Sequence, residues 1–208
     1  MLISERLKKT LDEHLSTMHG WCSREKAYAM AEIVLESKPE VSVEIGVWGG
    51  KSFLAMALAH VQLAKGHAYG IDPWSKDAAL DGVQEKENLD WWAAQNYDAI
   101  YEGCLRSMLD SAPVNRWTIY RATSQKAVGL FDAIDFLHID GNHSEKASTG
   151  DIMAYLPKLV SGGHLLFDDV DWFSTKRAVS LVEERCDVVR AVPSVPKVSA
   201  AWTLYRKR

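Results

Sequence analysis

The sequence predicts an α/β fold with a mostly parallel, seven-stranded sheet, helices on both faces and a C-terminal antiparallel hairpin. Seven short apolar runs alternate with helical patterns, which favours parallel strands joined by helical crossovers. The segment 41–52, VSVEIGVWGGKS, has the pattern of a buried strand that enters a helix through a glycine-rich turn. The last two strand-like runs are separated only by the loop PSVPKVS, which is too short for a helical crossover. These two strands should therefore pair antiparallel at an edge of the sheet.

The individual elements follow from β-branched residues and from the spacing of apolar residues. The strand-like runs lie at 41–47, 67–72, 116–121, 134–140, 164–169, 187–192 and 200–205. Helical spacing fills 51–65, 144–160 and 175–186. Two amphipathic segments precede the sheet, and Leu7, Leu11 and Leu15 mark the first of them. We therefore divide the chain into an N-terminal helical cap at 1–38 and a second domain at 39–208.

A polar and aromatic insert at about residues 74–111 interrupts the alternation of strands and helices. It follows the strand that ends at Asp72, and open α/β sheets bind their ligands at the carboxyl ends of the strands. We therefore predict that the insert lies over the ligand crevice as a substrate lid. The alternative is a packed surface helix that contacts no ligand.

Composition and charge argue against several classes of protein. The 208 residues suit one domain with or without a small appendage, and the 47% hydrophobic content is ordinary for a globular protein. A net charge of −4 argues against a dedicated nucleic-acid surface. No apolar run approaches the ~18 residues that a membrane helix needs, and the N-terminus lacks an apolar signal core. We expect neither a nucleic-acid nor a membrane partner.

The number and spacing of the cysteines indicate a reducing compartment. Cys22, Cys104 and Cys186 are odd in number and far apart, a pattern that fits free thiols better than disulfides or a zinc site. We therefore expect a cytoplasmic protein. The amphipathic N-terminal helices suit either capping of the crevice or pairing of subunits in a homo-oligomer.

The glycine-rich turn lacks the pattern that a dinucleotide requires. A G-x-G-x-x-G fingerprint is absent, because Val47 and Trp48 follow Gly46. The segment EIGVWGG instead resembles motif I of the class I S-adenosylmethionine-dependent methyltransferases, although Trp48 stands where many relatives carry a small residue. The resemblance implies a Rossmann-like methyltransferase domain whose motif I receives the methionyl end of S-adenosylmethionine. The residues implied in this contact are Glu44, Gly46, Trp48 and Gly50.

Two further strand ends suit the rest of this cofactor. Asp72 can accept hydrogen bonds from both hydroxyls of a ribose, although Asp is also common before proline. After the third strand, the resemblance places the adenine near Thr123 and Ser124. A helix N-cap is the alternative for these two residues, and it is compatible with contact to the cofactor.

Carboxylates end the fourth and fifth strands, in FLHIDGNHS and LLFDDVDW. The two strands should be neighbours, ~4.8 Å apart, so these carboxylates should repel one another unless a cation or protons neutralise them. Mg²⁺ suits such oxygen ligands. The pattern resembles metal-dependent O-methyltransferases of the catechol type and of the antibiotic-sugar type, and it implies that Asp140, Asp168 and Asp169 hold a divalent cation. Contact with the cofactor or capping of the next helix is the alternative for Asp168 and Asp169.

His143 is the candidate base, three residues beyond Asp140, where catechol-type enzymes carry a lysine. Asp140 and His143 are therefore the predicted catalytic pair. His138 shares a strand face with Asp140, but a satisfied core histidine is the better interpretation. Asn142 and Asp171 are secondary candidates for orienting substrate or metal.

Five tryptophans lie near the strand ends or in the insert: Trp48, Trp74, Trp91, Trp92 and Trp172. Such residues either line a pocket with flat aromatic walls or pack the loops and the lid together. The combined hypothesis is an S-adenosylmethionine-dependent methyltransferase that acts, with metal assistance, on a hydroxyl of a small-molecule acceptor. An NAD-linked oxidoreductase and a non-catalytic interaction module are the alternatives.

Overall fold

The computed structural model describes residues 2–82, 86–195 and 200–208. Within these residues the strands are β1 Val41–Ile45, β2 His67–Asp72, β3 Trp117–Arg121, β4 Ile134–Ile139, β5 Leu159–Asp168, β6 Cys186–Val192 and β7 Trp202–Lys207. They form one sheet in the order β3-β2-β1-β4-β5-β7-β6. Strands β1 to β5 pair in parallel, whereas β7 runs antiparallel to both β5 and β6. The predicted fold class, with its C-terminal antiparallel hairpin, is confirmed.

The helices are α1 Glu5–Leu15, α2 Arg24–Ser37, α3 Lys51–Leu63, α4 Lys76–Leu80, α5 Lys86–Ala93, α6 Tyr97–Ser111, α7 Ser124–Ala127, α8 Glu145–Tyr155 and α9 Lys176–Glu183. Serine side chains cap the first turns of α1, α2 and α8, where Ser4, Ser23 and Ser144 accept backbone N–H bonds. None of the helices in the described ranges is long and apolar enough to cross a bilayer.

Helices cover both faces of the sheet, and a separate buried cluster lies on each. On one face, α1, α2, α3 and α6 pack against the sheet through Leu11, Met30, Phe53 and Met108. On the other, α7, α8 and α9 do so through Ala127, Ile152, Tyr155 and Val182. The predicted cap at 1–38 shares the first of these buried clusters with α3. The boundary between the cap and the second domain stays a prediction.

Several predicted boundaries are displaced. Strand β1 ends at Ile45 rather than at 47, because Gly46 leaves the strand with a φ of 87°. Helix α8 ends at Tyr155 rather than at 160, since a short 3₁₀ turn that contains Pro157 begins at Leu156. Strand β5 then begins at Leu159, earlier than the predicted 164. The C-terminal strand runs two residues further along the chain than predicted, and residues 196–199 of the hairpin loop lie outside the described residues.

The insert at 74–111 has two parts. Its first part, with α4 and α5, borders the large cavity described below, whereas α6 buries Cys104 and Met108 in the core. Residues 83–85 of the predicted lid lie outside the described residues. The insert therefore borders the cavity in its first part and packs into the core in its second, and its action as a lid stays a prediction.

Candidate active site

A cavity of about 2570 Å³ opens at the carboxyl ends of the central parallel strands. This volume exceeds the ~300–1,000 Å³ that is usual for one small ligand, so the cavity has room for a cofactor and an acceptor together. The predicted site residues in its wall are Gly46, Trp48, Gly50, Asp72, Thr123, Ser124, Asp140, His143, Asp168 and Asp169. The predicted site is therefore brought together with one exception, which is Glu44.

Glu44 lies behind the wall and is completely buried. Its Oε1 accepts a 2.7 Å hydrogen bond from the hydroxyl of Ser52 on α3, and its Oε2 lies 3.1 Å from Nδ1 of His138. Glu44 is thus placed behind the cavity wall, and its direct contact with the cofactor stays a prediction. Because its strand position points into the interior, Glu44 ties α3 and β4 to β1.

The glycine turn after β1 is held from two sides. Gly46 has a φ of 87°, and a Cβ there would overlap the backbone carbonyl of Asp140 at the end of β4. A Cβ on Gly49 would overlap the carbonyl of His19. Gly50, with a φ of 89°, is the N-cap of α3, so the first N–H groups of this helix are presented at the cavity.

Asp72 fixes the same turn from β2. Its Oδ2 accepts the N–H of Trp48 at 2.9 Å, and its Oδ1 accepts the N–H of Trp74 at 2.7 Å. Burial raises the pKa of Asp72 to about 6, although these backbone N–H bonds act in the opposite direction. Each carboxylate oxygen keeps a further lone pair, so a ribose contact remains compatible with this structural role.

Thr123 and Ser124 open α7 beside a carboxylate that the sequence reasoning missed. Thr123 is the N-cap, but its side chain makes no capping bond. The hydroxyl of Ser124 donates to Asp151 on α8, whose pKa burial raises to about 6. Asp151 shares the buried face of α8 with Ser148 and Ile152, and a carboxylate on such a face was the signal available in the sequence.

The carboxylates of Asp140 and Asp168 converge, as predicted, but a lysine lies between them. Lys26 on α2 is 9% exposed, and its Nζ lies 3.1 Å from Oδ2 of Asp140 and also pairs with Oδ2 of Asp168. The sequence reasoning missed this residue. Its spacing from Met30 and Ile33, at i, i+4 and i+7, places it on the buried face of α2, and that was the available signal.

His138 extends this pairing into the core. Its Nε2 lies 2.9 Å from Oδ2 of Asp168, and its other ring nitrogen faces Glu44. Burial opposes the charged imidazole, but Glu44 and Asp168 outweigh it and raise the pKa of His138 to about 9. Burial likewise opposes the charged form of Asp168, yet Lys26 and His138 lower its pKa to about 2. Anionic and cationic groups therefore alternate through the interior. His138 lies in the core as expected, but its Nδ1 and the Oε2 of Glu44 lack a hydrogen-bond partner among the described residues, so the ring is only partly satisfied.

His143 lies in the cavity wall beside the last carboxylate. Its Nε2 is 2.8 Å from Oδ2 of Asp169 and 3.9 Å from Oδ1 of Asp140. Burial opposes the imidazolium, but Asp169 outweighs it and raises the pKa of His143. The ring also packs edge-on against Trp172, with 5.1 Å between centroids. The contact with Asp169 holds Nε2 of His143, and together the contacts fix the orientation of the ring and therefore of Nδ1.

The space between Asp140 and Asp168, one part of the predicted metal set, does not fit a divalent cation as these side chains lie. Among the described residues, two groups have ligand atoms within 4.8 Å of one another: His138, Asp140 and Asp168, and Asp140, His143 and Asp169. The ammonium of Lys26 occupies the space between Asp140 and Asp168. A second cation there would face it at contact distance and be repelled.

The tryptophans both line the cavity and pack with one another. The rings of Trp48 and Trp92 lie 5.1 Å apart, those of Trp91 and Trp92 4.8 Å, and those of Trp21 and Trp91 5.0 Å. All four line the cavity, and Trp21 was not predicted. Trp74 is buried and donates from Nε1 to the carbonyl of Trp48 at 2.9 Å, so it has the packing role.

The two secondary candidates hold loops. The side-chain amide of Asn142 donates to the carbonyls of Ala78, Ala79 and Asp81, and so it anchors the insert. Asp171 accepts a 2.7 Å hydrogen bond from Ser194 and lies outside the cavity wall. Asn142 also lines the cavity, and the orienting roles of Asn142 and Asp171 stay predictions.

The buried network predicts a loss of stability at alkaline pH. Because the folded-state pKa of His138, about 9, lies above the ordinary 6.5, its contribution is complete below pH 6.5 and is lost as the pH rises through 9. We expect this loss to reach at most about 3 kcal/mol. Urea unfolding between pH 6 and 9.5 measures it, and the His138→Gln variant should lack this slope. A wild-type stability that does not change over this range would contradict the assigned charge.

Solved structures share the fold along nearly the whole chain. Cofactor-bound Rv0187 from MTB is 13% identical, with a TM-score of 0.70, and the match covers 99% of this chain and 91% of that one. The O-methyltransferase TomG from Streptomyces achromogenes, in complex with SAM, is 14% identical, with a TM-score of 0.67 and coverage of 99% and 90%. SAH-bound methyltransferase PaMTH1 from Podospora anserina is 14% identical, with a TM-score of 0.65 and coverage of 99% and 89%. At these identities the likeness extends to the fold alone.

Sequence comparison is more decisive. No curated protein matches the chain. The model of a family described as a methyltransferase domain, however, matches residues 43–170, which is more than half of the sequence. The match includes the glycine turn and all three carboxylates at the ends of β4 and β5. The chain therefore belongs to this methyltransferase family.

Proposed function

We propose that the protein transfers a methyl group from S-adenosylmethionine to a hydroxyl of a small molecule. The observation that carries the proposal is one continuous cavity with the glycine turn and His143 both in its wall. The solved structure of TomG supports it, because that relative of similar fold is described as an O-methyltransferase in complex with SAM. The family match favours methyl transfer over the alternative of an NAD-linked oxidoreductase.

The cofactor half of the cavity would be formed by the turn and by two strand ends. Gly46, Trp48 and Gly50 would accommodate the methionyl end against the N-terminus of α3. Asp72 would accept the ribose hydroxyls, and Thr123 with Ser124 would border the adenine. S-adenosylmethionine, when bound there, supplies an electrophilic methyl group on a sulfonium. The protein's contribution is to hold the acceptor oxygen in line with that group.

His143 would take the proton of the acceptor hydroxyl. Its Nε2 is paired with Asp169, so Nδ1 is the ring nitrogen left to accept a proton. Asp169 would orient the ring and stabilise the imidazolium that forms, while Asp140 adds a second negative charge 3.9 Å away. As the O–C bond forms and the S–C bond breaks, the acceptor proton passes to His143. A divalent cation does not fit between Asp140 and Asp168, where Lys26 lies, and no step depends on one.

Methyl transfer can be tested with isotope-labelled S-adenosylmethionine and a panel of small aromatic and polyhydroxylated acceptors. We expect a labelled O-methyl product, detected by mass spectrometry, together with S-adenosylhomocysteine. Because the raised pKa of His143 keeps the ring protonated near pH 6.5, the rate should rise as the pH increases above that value.

The His143→Phe variant should lower kcat by about 10²–10⁴-fold and leave the affinity for S-adenosylhomocysteine unchanged. His14→Phe, on α1 away from the cavity, is the matched control. An undiminished kcat in His143→Phe would contradict the role of His143 as base. Labelled product on nitrogen or carbon alone would contradict the proposed class of acceptor.

A further inference from the structure

Lys26 reaches the site from outside the segment that matches the family. It belongs to α2, whereas the family match begins at residue 43. Ser23 caps the helix by accepting the N–H of Lys26 at 3.2 Å, which fixes the backbone of the first turn. The side chain of Lys26 then extends along the buried face of α2 towards the ends of β4 and β5. The N-terminal helical segment therefore delivers a positive charge to the candidate active site.

The position of this charge is the one at which the sequence predicts a divalent cation. The ammonium bonds both Asp140, which is partly exposed to the cavity, and Asp168, which is 1% exposed. Burial of these two carboxylates side by side requires a counter-charge, and Lys26 supplies it. The pairing does not close off the site, because Lys26 and Asp140 both line the cavity.

The ammonium has one donor to spare. A lysine carries three N–H donors, and among the described residues its acceptors are the two Oδ2 atoms of Asp140 and Asp168. The third N–H has no acceptor among the described residues, and Lys26 is part of the cavity wall. Negative charge that develops on an acceptor oxygen as its proton leaves would be stabilised by such a donor, in the same way that a metal ion stabilises it.

We propose that Lys26 takes the place of the divalent cation in this methyltransferase. It holds Asp140 and Asp168 together and donates its third N–H to the acceptor oxygen, so that methyl transfer proceeds without a divalent metal. The acceptor part of this inference rests on the proposed function. Lys26 keeps its proton throughout, and the proton of the acceptor leaves to His143.

The first test uses the wild-type protein and Mn²⁺, whose binding is followed by electron paramagnetic resonance and by calorimetry. We expect no Mn²⁺ site, with or without S-adenosylhomocysteine, and labelled methyl transfer that is unchanged by EDTA. Mn²⁺ binding that is lost in Asp140→Asn, or transfer that stops in EDTA and returns with Mg²⁺, would overturn the proposal. S-adenosylhomocysteine binding in the same samples tests the proposed function separately.

The second test removes the charge and keeps the length of the side chain. Lys26→Met leaves Asp140 and Asp168 without their ammonium, so this variant should gain a Mn²⁺ site with an affinity at least about tenfold above the detection limit that the wild type sets. Lys9→Met, which removes an exposed lysine of α1, is the control with the same change in net charge and should show no gain. Methyl transfer by Lys26→Met should fall by at least about tenfold without Mn²⁺.

A folded Lys26→Met variant that binds S-adenosylhomocysteine, gains no Mn²⁺ affinity and keeps its activity would also overturn the proposal. If this variant does not fold, the wild-type titration decides alone, because it requires no substitution. Failure of the wild type to bind S-adenosylhomocysteine would instead count against the proposed function. The Mn²⁺ titration would then still decide whether Lys26 takes the place of a divalent cation.

Discussion

Replacement of Gly46 by alanine should abolish binding of S-adenosylhomocysteine and lower the free energy of unfolding by at least about 3 kcal/mol. The residue has a φ of 87°, which disfavours any side chain, and a Cβ would overlap the backbone carbonyl of Asp140. Backbone cannot rotate away as a flexible side chain can, so either the turn or the end of β4 must move. Both form the wall of the cavity.

The control for Gly46→Ala is Gly103→Ala. Gly103 lies inside α6, and a Cβ there would meet no atom within 4 Å, so the alanine should stabilise the protein by about 0.5–1 kcal/mol. Calorimetric titration and urea unfolding of both variants separate a specific effect at the turn from a general effect of alanine. Normal binding and stability in Gly46→Ala would show that the contact between β1 and β4 is not as described.

Replacement of Asp168 by asparagine should lower the free energy of unfolding by about 3–5 kcal/mol, although the side chain keeps its shape. Asp168 is 1% exposed and pairs with both Lys26 and His138, so the change leaves two buried cations without their shared counter-charge. Urea unfolding at pH 7 measures the loss. Asp187→Asn is the control, because Asp187 forms an exposed ion pair with Arg208 at 2.7 Å and should contribute less than about 1 kcal/mol.

The acid limb of the stability profile gives a second measurement on Asp168. Its folded-state pKa, about 2, lies below the ordinary 3.8, so its stabilising contribution is present above pH 3.8 and is lost as the pH falls through 2. This part of the slope should be missing in Asp168→Asn. A variant as stable as the wild type, with the same acid limb, would show that the buried charge of Asp168 does not stabilise the fold.

The sequence was most informative where the signal is local. A strand, a glycine-rich turn and a helix are adjacent in 41–52, and the fold retains them with only the strand end displaced. The carboxyl ends of parallel strands meet at one edge, so the proximity of Asp140 and Asp168 could also be predicted. The direct contact of Glu44 with the cofactor stays a prediction; Glu44 is buried because helices cover both faces of β1.

The missed residues depend on tertiary packing. Lys26 and Asp140 are 114 residues apart in sequence, and nothing near either residue specifies the other. Their contact requires that α2 pack beside α3 with its first turn directed at the strand ends. Trp21 meets Trp91 for the same reason, across the loop after α1 and the insert. A cation at the carboxylates was a sound inference from their mutual repulsion. The sequence could not show that the ammonium of Lys26 is a cation at that place.

Calorimetric titration of the wild-type protein with S-adenosylhomocysteine and, in parallel, with NAD tests the assignment most directly. We expect saturable binding of one S-adenosylhomocysteine per chain and no binding of NAD, because the turn at Gly46 lacks the dinucleotide fingerprint. Binding of S-adenosylhomocysteine that is absent in Gly46→Ala and normal in Gly103→Ala would place it at this turn. Tight binding of NAD with no response to S-adenosylhomocysteine would contradict the account.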